Sequence, residues 1–144
     1  MDKKIGYNIV PELSIMIEYL CGKVDGDDAI NLKKMETMDP KFNPNYNCLV
    51  DFRDTEITMN KEGLKSMSKF IDFFKGEQAV LSNRKSALLT SGPQQVVLSS
   101  LLKQMSIELP ISFEIFSTLE SSVAFINGSS RSLQRIDDEL FKLK

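Results

Sequence analysis

The side chains best suited to bind a ligand or act on a substrate are clustered in one short stretch. Its charged residues are Asp51, Arg53, Asp54 and Glu56. Carboxylates in this density could hold Mg²⁺, which needs only one or two of them together with water and a phosphate ligand. Arg53 lies between the two aspartates, however, and ion pairs that fix the chain at this corner are the favoured interpretation. No glycine-rich phosphate loop supports the metal alternative. We therefore predict no metal site.

The remaining composition argues against an enzyme. The chain has no histidine, which excludes histidine-dependent triads and histidine-ligated zinc sites. Its two cysteines, Cys21 and Cys48, are interpreted as buried free thiols. No G-x-S-x-G nucleophile elbow occurs. The sequence thus predicts no catalytic residue, no covalent cofactor and no enzymatic activity.

Charge and hydropathy restrict the class of partner. The 18 basic and 20 acidic residues give a net charge of -2, whereas a nucleic-acid-binding protein would be much more basic. The longest apolar runs, such as residues 13–21, are too short to span a bilayer and include Glu18. The first residues show no signal-peptide pattern. We expect a cytoplasmic protein that neither binds nucleic acid nor crosses a membrane.

The charged corner is positioned by a strand before it and a helix after it. The apolar run at residues 49–52 predicts a buried strand, and Asn60 predicts the N-cap of the following helix. In an open α/β sheet, ligands bind beyond the carboxyl ends of the strands, which is where this corner should lie. The apolar stripe of the helix is predicted to consist of Leu64, Met67, Ile71 and Phe74.

The sequence as a whole predicts a β-hairpin followed by alternating helices and strands. Residues 5–10 and 13–20 predict the hairpin, and a helix follows from Asp25 to about Met38. Its predicted apolar stripe is Ala29, Leu32 and Met35. Phe42 and Tyr46 are expected to clamp the next loop, although they could border a groove. The order β-β-α-β-α-β-α-β-α predicts an α/β domain at residues 1–128, with a five-stranded mixed sheet, an edge strand near residue 111 and four surrounding helices.

Residues 129–144 form a predicted helical tail outside this domain. Its apolar seam consists of Leu133, Ile136, Leu140 and Leu143. So short a helix is marginal alone in water, and its seam requires a second surface. A membrane, the tail's own domain and a second copy of the chain are the alternatives. The second copy is favoured slightly, which predicts a homodimer.

A motif in the centre of the chain points to a known family. The segment from Asp39 to Asp54 reads D-P-x-F-N-P-x-Y-N-x-L-V-D-F-R-D. In this element order it resembles the SpoIIAA-like (STAS/SEC14-like) bacterial family over about residues 5–127. The resemblance implies the fold of anti-sigma factor antagonists, which is related in architecture to SEC14-type lipid-binding domains.

The resemblance also shows what this chain lacks. The antagonists carry a phosphorylatable Ser or Thr in a D-S-S/T-G-L motif at the start of the helix after the central strand. The matching residues here run from Asn60 to Leu64, and the two hydroxyl positions are occupied by Lys61 and Glu62. Thr58 is the nearest hydroxyl. The phosphoswitch is therefore predicted to be absent.

Two functions remain open from the sequence. The first is a non-enzymatic regulatory or scaffolding module that binds another protein through Asp54, Thr55, Glu56, Thr58, Lys61, Glu62 and Lys65. The alternative is a carrier or sensor of a small apolar ligand or lipid held between helices. A continuous apolar pocket would favour the second function, and a solid core with an exposed groove would favour the first.

Overall fold

The computed structural model describes residues 2–57, 60–76, 83–128 and 131–144. Within them the chain forms one five-stranded sheet and five α-helices. The strands are β1 Lys4–Val10, β2 Ile15–Lys23, β3 Asn47–Glu56, β4 Arg84–Leu89 and β5 Ile111–Phe116. The helices are α1 Gly26–Met38, α2 Lys61–Gly76, α3 Pro93–Met105, α4 Leu119–Asn127 and α5 Leu133–Leu143. None of these helices combines the length and hydropathy that crossing a bilayer requires.

The strands follow one another across the sheet in the order β1-β2-β3-β4-β5. β1 and β2 form an antiparallel hairpin through a turn at Pro11–Leu13, and all the other pairs are parallel. A parallel pair needs a crossover, and α1, α2 and α3 provide these connections. The mixed α/β sheet and the edge position of β5 agree with the prediction.

Helices cover both faces of the sheet. Neighbouring strand residues point to opposite faces, so Met16 and Val50 pack beneath α1, α2 and α3, whereas Ile17 and Leu49 pack beneath α4 and α5. The two apolar layers form separate clusters on either side of the strands. Phe42 and Tyr46 pack at the edge of the first cluster, consistent with their predicted clamping role.

Local capping fixes where the first two helices begin. Asp25 accepts a hydrogen bond from the Asp28 N–H over 2.9 Å, and Asp28 accepts one from the Asp25 N–H over 3.0 Å. The Asn60 side chain accepts from the Gly63 N–H over 2.9 Å, as predicted. The α2 stripe is buried at three of its four positions, while Leu64 is 44% exposed.

The tail helix α5 packs on its own domain. Ile136 and Leu140 are almost fully buried in the cluster beneath α4 and α5, and Leu133 and Leu143 border it. Leu143 also lies near Gly6 of β1, where the missing side chain leaves room for it. The favoured expectation that this seam pairs with a second copy is therefore corrected. The sheet face over β1 and β2 is close enough to cover the seam within the same chain.

Candidate functional site

The charged corner at the end of β3 is a structural ion pair. Asp51 is fully buried, and its carboxylate accepts hydrogen bonds from Arg53 Nε over 3.0 Å and from Arg53 Nη2 over 2.9 Å. The backbone N–H of Arg53 donates to the same carboxylate over 3.0 Å. Asp54 accepts a hydrogen bond from the Tyr19 hydroxyl over 2.6 Å on the α5 side of the sheet. The predicted ion pair is thus found between Arg53 and Asp51, whereas Asp54 is held by a tyrosine hydroxyl.

Side chains from α3 and from the turn before it hold the end of β3 in place. Gln95 Nε2 donates to the carbonyl oxygens of Arg53 and Thr55 over 3.1 and 3.2 Å, and Ser91 Oγ donates to the Arg53 carbonyl over 2.9 Å. Thr55 is 8% exposed, and its hydroxyl donates to the Phe52 carbonyl over 2.6 Å. The expectation that Thr55 contributes to a partner surface is therefore wrong, because its polar group is turned into the fold.

The other residues predicted for partner binding fall into two groups. Glu56, Lys61, Glu62 and Lys65 are exposed around the start of α2. Thr58 lies outside the described residues. The structure thus leaves part of the predicted surface accessible, whereas Asp54 and Thr55 hydrogen-bond within the fold.

A cavity of about 990 Å³ opens beside this surface, between the sheet and the helices α1, α2 and α3. Glu56, Glu62 and Lys65 lie at its exposed rim. Its inner wall is largely apolar and comes from strands and helices alike. The buried and half-buried apolar residues that line it include Leu20, Val50, Phe52, Met67, Phe70, Phe74, Leu88, Leu98, Leu102 and Phe113.

Four acidic or basic side chains of the described residues are buried at this face of the sheet, and we refer to them as the charge cluster: Glu18, Lys33, Glu36 and Arg84. Glu18 belongs to β2, Lys33 and Glu36 to α1, and Arg84 to β4. Three of them, Glu18, Lys33 and Arg84, line the cavity. The cluster was not predicted from the sequence.

The cluster corrects the predicted orientation of α1. Leu32 is buried as expected, but Met35 is 58% exposed, and Lys33 and Glu36 face the sheet instead. The spacing of apolar residues does not predict a buried ion pair, because charged residues are assigned to the solvent-exposed side of the helix. A signal was nevertheless present, since Glu18 interrupts an otherwise apolar strand.

Hydrogen bonds and ion pairs connect the two glutamates of the cluster to Lys33. Lys33 Nζ donates to Glu18, and Cys48 Sγ donates to the same carboxylate over 3.2 Å. Lys33 Nζ lies 3.5 Å from Glu36 Oε2. Cys21 and Cys48 are both buried thiols that form no disulfide, as predicted. Burial raises the pKa of the Cys48 thiol well above its ordinary value, with Glu18 acting in the same direction.

The pKa values of the two glutamates are shifted in opposite directions. Burial acts to raise the pKa of Glu18, but the charge of Lys33 and hydrogen bonding with Glu36 outweigh it and lower that pKa. Burial, helped by the charge of Glu18, raises the pKa of Glu36 to about 9. Neither oxygen of Glu36 has a hydrogen-bond donor among the described residues, whereas a protonated Glu36 can itself donate to Glu18. The raised pKa therefore favours the neutral form of Glu36 at pH 7.

Comparison with known proteins identifies the fold. No protein-family model and no curated protein sequence matches this chain. The chain is similar to the crystal structure of an uncharacterised protein from Shewanella loihica PV-4, which belongs to the DUF3478 family and has a SpoIIAA-like fold. The TM-score is 0.57 at 12% identity, and the alignment covers 88% of this chain and 96% of the other. The SpoIIAA-like fold predicted by the Asp39 to Asp54 motif is thus confirmed.

Proposed function

We propose that this protein is a non-enzymatic carrier or sensor of a small apolar ligand, which it binds in the cavity between the sheet and α1, α2 and α3. The single observation that carries the proposal is the cavity itself. Its volume of about 990 Å³ is at the upper end of the range of about 300–1,000 Å³ typical of small-molecule sites. A solid core with an exposed groove would have favoured a pure protein-interaction module instead.

The character of the wall supports an apolar ligand. Val50 and Leu88 of the sheet face the cavity opposite helical residues such as Phe74 and Leu102. Transfer of hydrocarbon from water to such a surface contributes about 25 cal/mol per Å². A ligand with a hydrocarbon body would therefore gain most of its binding free energy from this wall.

The position of the rim supports a sensing role. Glu62 and Lys65 belong both to the rim and to the first turns of α2, where the sequence predicts a partner surface. A ligand that pushes α2 away from the sheet would move these side chains with it. The predicted protein-interaction role thus stays a prediction that is compatible with ligand binding at the same site.

The proposal is tested with N-phenyl-1-naphthylamine, a neutral dye whose fluorescence increases in apolar surroundings. We expect saturable binding at one dye per chain. Ala29 lines the cavity, and Ala29→Trp should fill part of it and weaken dye binding. Ala124 is exposed on α4, on the opposite side of the sheet, so Ala124→Trp is the matched control and should bind the dye normally.

Two results would contradict the proposal. The first is the absence of saturable dye binding to the unmodified protein. The second is equal binding by both tryptophan variants, since the dye would then occupy some other surface. Circular dichroism of each variant should accompany the titration, so that an unfolded variant is not counted as one with a filled cavity.

A further inference from the structure

Arg84 is the part of the charge cluster that the fold leaves least satisfied. It begins β4, is 5% exposed and lines the cavity. Its Nε and Nη1 atoms are buried and have no hydrogen-bond acceptor among the residues that the structure describes. No ion pair among the described residues includes it. A buried guanidinium with free N–H groups is costly, because burial removes the water that would otherwise solvate it.

The rest of the cluster does not compensate this charge. Lys33 pairs with Glu18, so those two charges cancel. The carboxyl of Glu36 lies 3.5 Å from Lys33 Nζ, and burial together with the charge of Glu18 raises its pKa, which favours the neutral form. Among the described residues, the positive charge of Arg84 is therefore left without a carboxylate at ion-pairing distance. A bound group with a single negative charge would balance it.

The wall next to Arg84 suits a hydrocarbon chain. Arg84, Ser86 and Leu88 alternate along β4 and share one face, and Leu88 lies beside Val50 of β3. Arg84 lies at the start of β4, and the apolar residues on its face follow it towards the carboxyl ends of the strands. The rim residues Glu56 and Glu62 lie at that end of the cavity. An anionic group at Arg84 would thus have an apolar path behind it, leading out to solvent.

We propose that the ligand of this cavity is a single-chain aliphatic carboxylate, with its carboxylate hydrogen-bonded to Arg84 and its hydrocarbon chain lying along Val50 and Leu88 towards the rim. This inference rests on the proposed function and specifies its ligand. A guanidinium presents paired N–H groups in the geometry that a carboxylate accepts. A neutral ligand of the same shape would leave those N–H groups unsatisfied.

The test is displacement of N-phenyl-1-naphthylamine from the unmodified protein by dodecanoate and by dodecanol, which have the same chain and differ in the head group. A charge-assisted hydrogen bond to a buried partner predicts that dodecanoate displaces the dye at a concentration about tenfold lower, or lower still. Dodecyltrimethylammonium, a cation with the same chain, should be the weakest competitor.

Variants then assign the preference to Arg84. Arg84→Gln should lose the tenfold preference for dodecanoate over dodecanol, with both competitors measured against that variant's own affinity for the dye. Lys85 is the exposed neighbour of Arg84, and its ammonium lies 5.3 Å from the Phe125 ring on the opposite face. Lys85→Gln removes the same charge one residue away and should keep the full preference.

The outcomes separate the two proposals. Absence of dye binding contradicts the cavity function as a whole. Dye binding with equal displacement by dodecanoate and dodecanol overturns the carboxylate proposal alone, as does an undiminished preference in Arg84→Gln. The comparison in the unmodified protein requires no substitution, so it decides the matter even if Arg84→Gln does not fold.

Discussion

Replacing Glu36 by Gln should change how the stability of this protein depends on pH. Glu36 is fully buried and faces Glu18 from β2, Lys33 from its own helix and Arg84 from β4. Glutamine has nearly the same shape, can still donate a hydrogen bond to Glu18, and cannot ionise. The substitution therefore removes one titration while it keeps the packing.

The expected size of the effect follows from proton linkage. Unfolded Glu36 has the ordinary pKa of 4.5, whereas burial and Glu18 raise the pKa of folded Glu36 to about 9. Between these values the folded chain binds a proton that the unfolded chain has lost. The bound proton increases the free energy of unfolding. This increase is fully present below pH 4.5, and it becomes smaller by about 1.4 kcal/mol for each pH unit above that value, until folded Glu36 ionises. From pH 5 to pH 7 the unmodified protein should lose about 3 kcal/mol relative to Glu36→Gln.

Urea unfolding of both proteins across this pH range measures the difference directly. Glu18 and the other carboxylates titrate in both proteins, so their contributions cancel to first order in the comparison. Glu108 is exposed, and Glu108→Gln is the matched control, whose stability curve should run parallel to that of the unmodified protein. A difference between Glu36→Gln and the unmodified protein that stays constant from pH 5 to pH 7 would refute the argument. Glu36 would then be ionised in the folded chain.

Two further predictions concern packing. Leu140→Ala should lower the free energy of unfolding by about 2–5 kcal/mol, because its side chain is 1% exposed in the cluster beneath α4 and α5. Phe141→Ala, at 80% exposure, should change it by about 0.5 kcal/mol or less, and equal effects in chemical denaturation would contradict docking of the tail. Gly26→Ala should cost about 1–3 kcal/mol, since the added Cβ would lie 2.2 Å from the Ser66 carbonyl oxygen and force α1 away from α2. At Gly76 a Cβ would meet nothing within 4 Å, so Gly76→Ala should not lower the melting temperature, and equal losses in both variants would show that the contact between α1 and α2 is looser than described.

Local features of the sequence determine the elements of this fold. The apolar residues of β3, the Asn60 cap and the hairpin are each specified by neighbours a few positions apart, and all three are found where the sequence predicts them. The pairing of Asp51 with Arg53 belongs to the same class, because the two residues are two positions apart on one strand. Such interactions are already present in the local chain, so a pattern in the sequence is enough to predict them.

The cavity and the charge cluster are decided only by the tertiary structure. Glu18, Lys33 and Arg84 come from three different elements, and only the packing of α1 on the sheet brings them together. The seam of α5 is a similar case, since its apolar pattern requires a covering surface but does not specify which one. Burial of a charge is favourable only when a particular partner arrives from elsewhere in the chain. Which residue becomes that partner is decided by the assembled fold, and the spacing of residues along the sequence does not predict it.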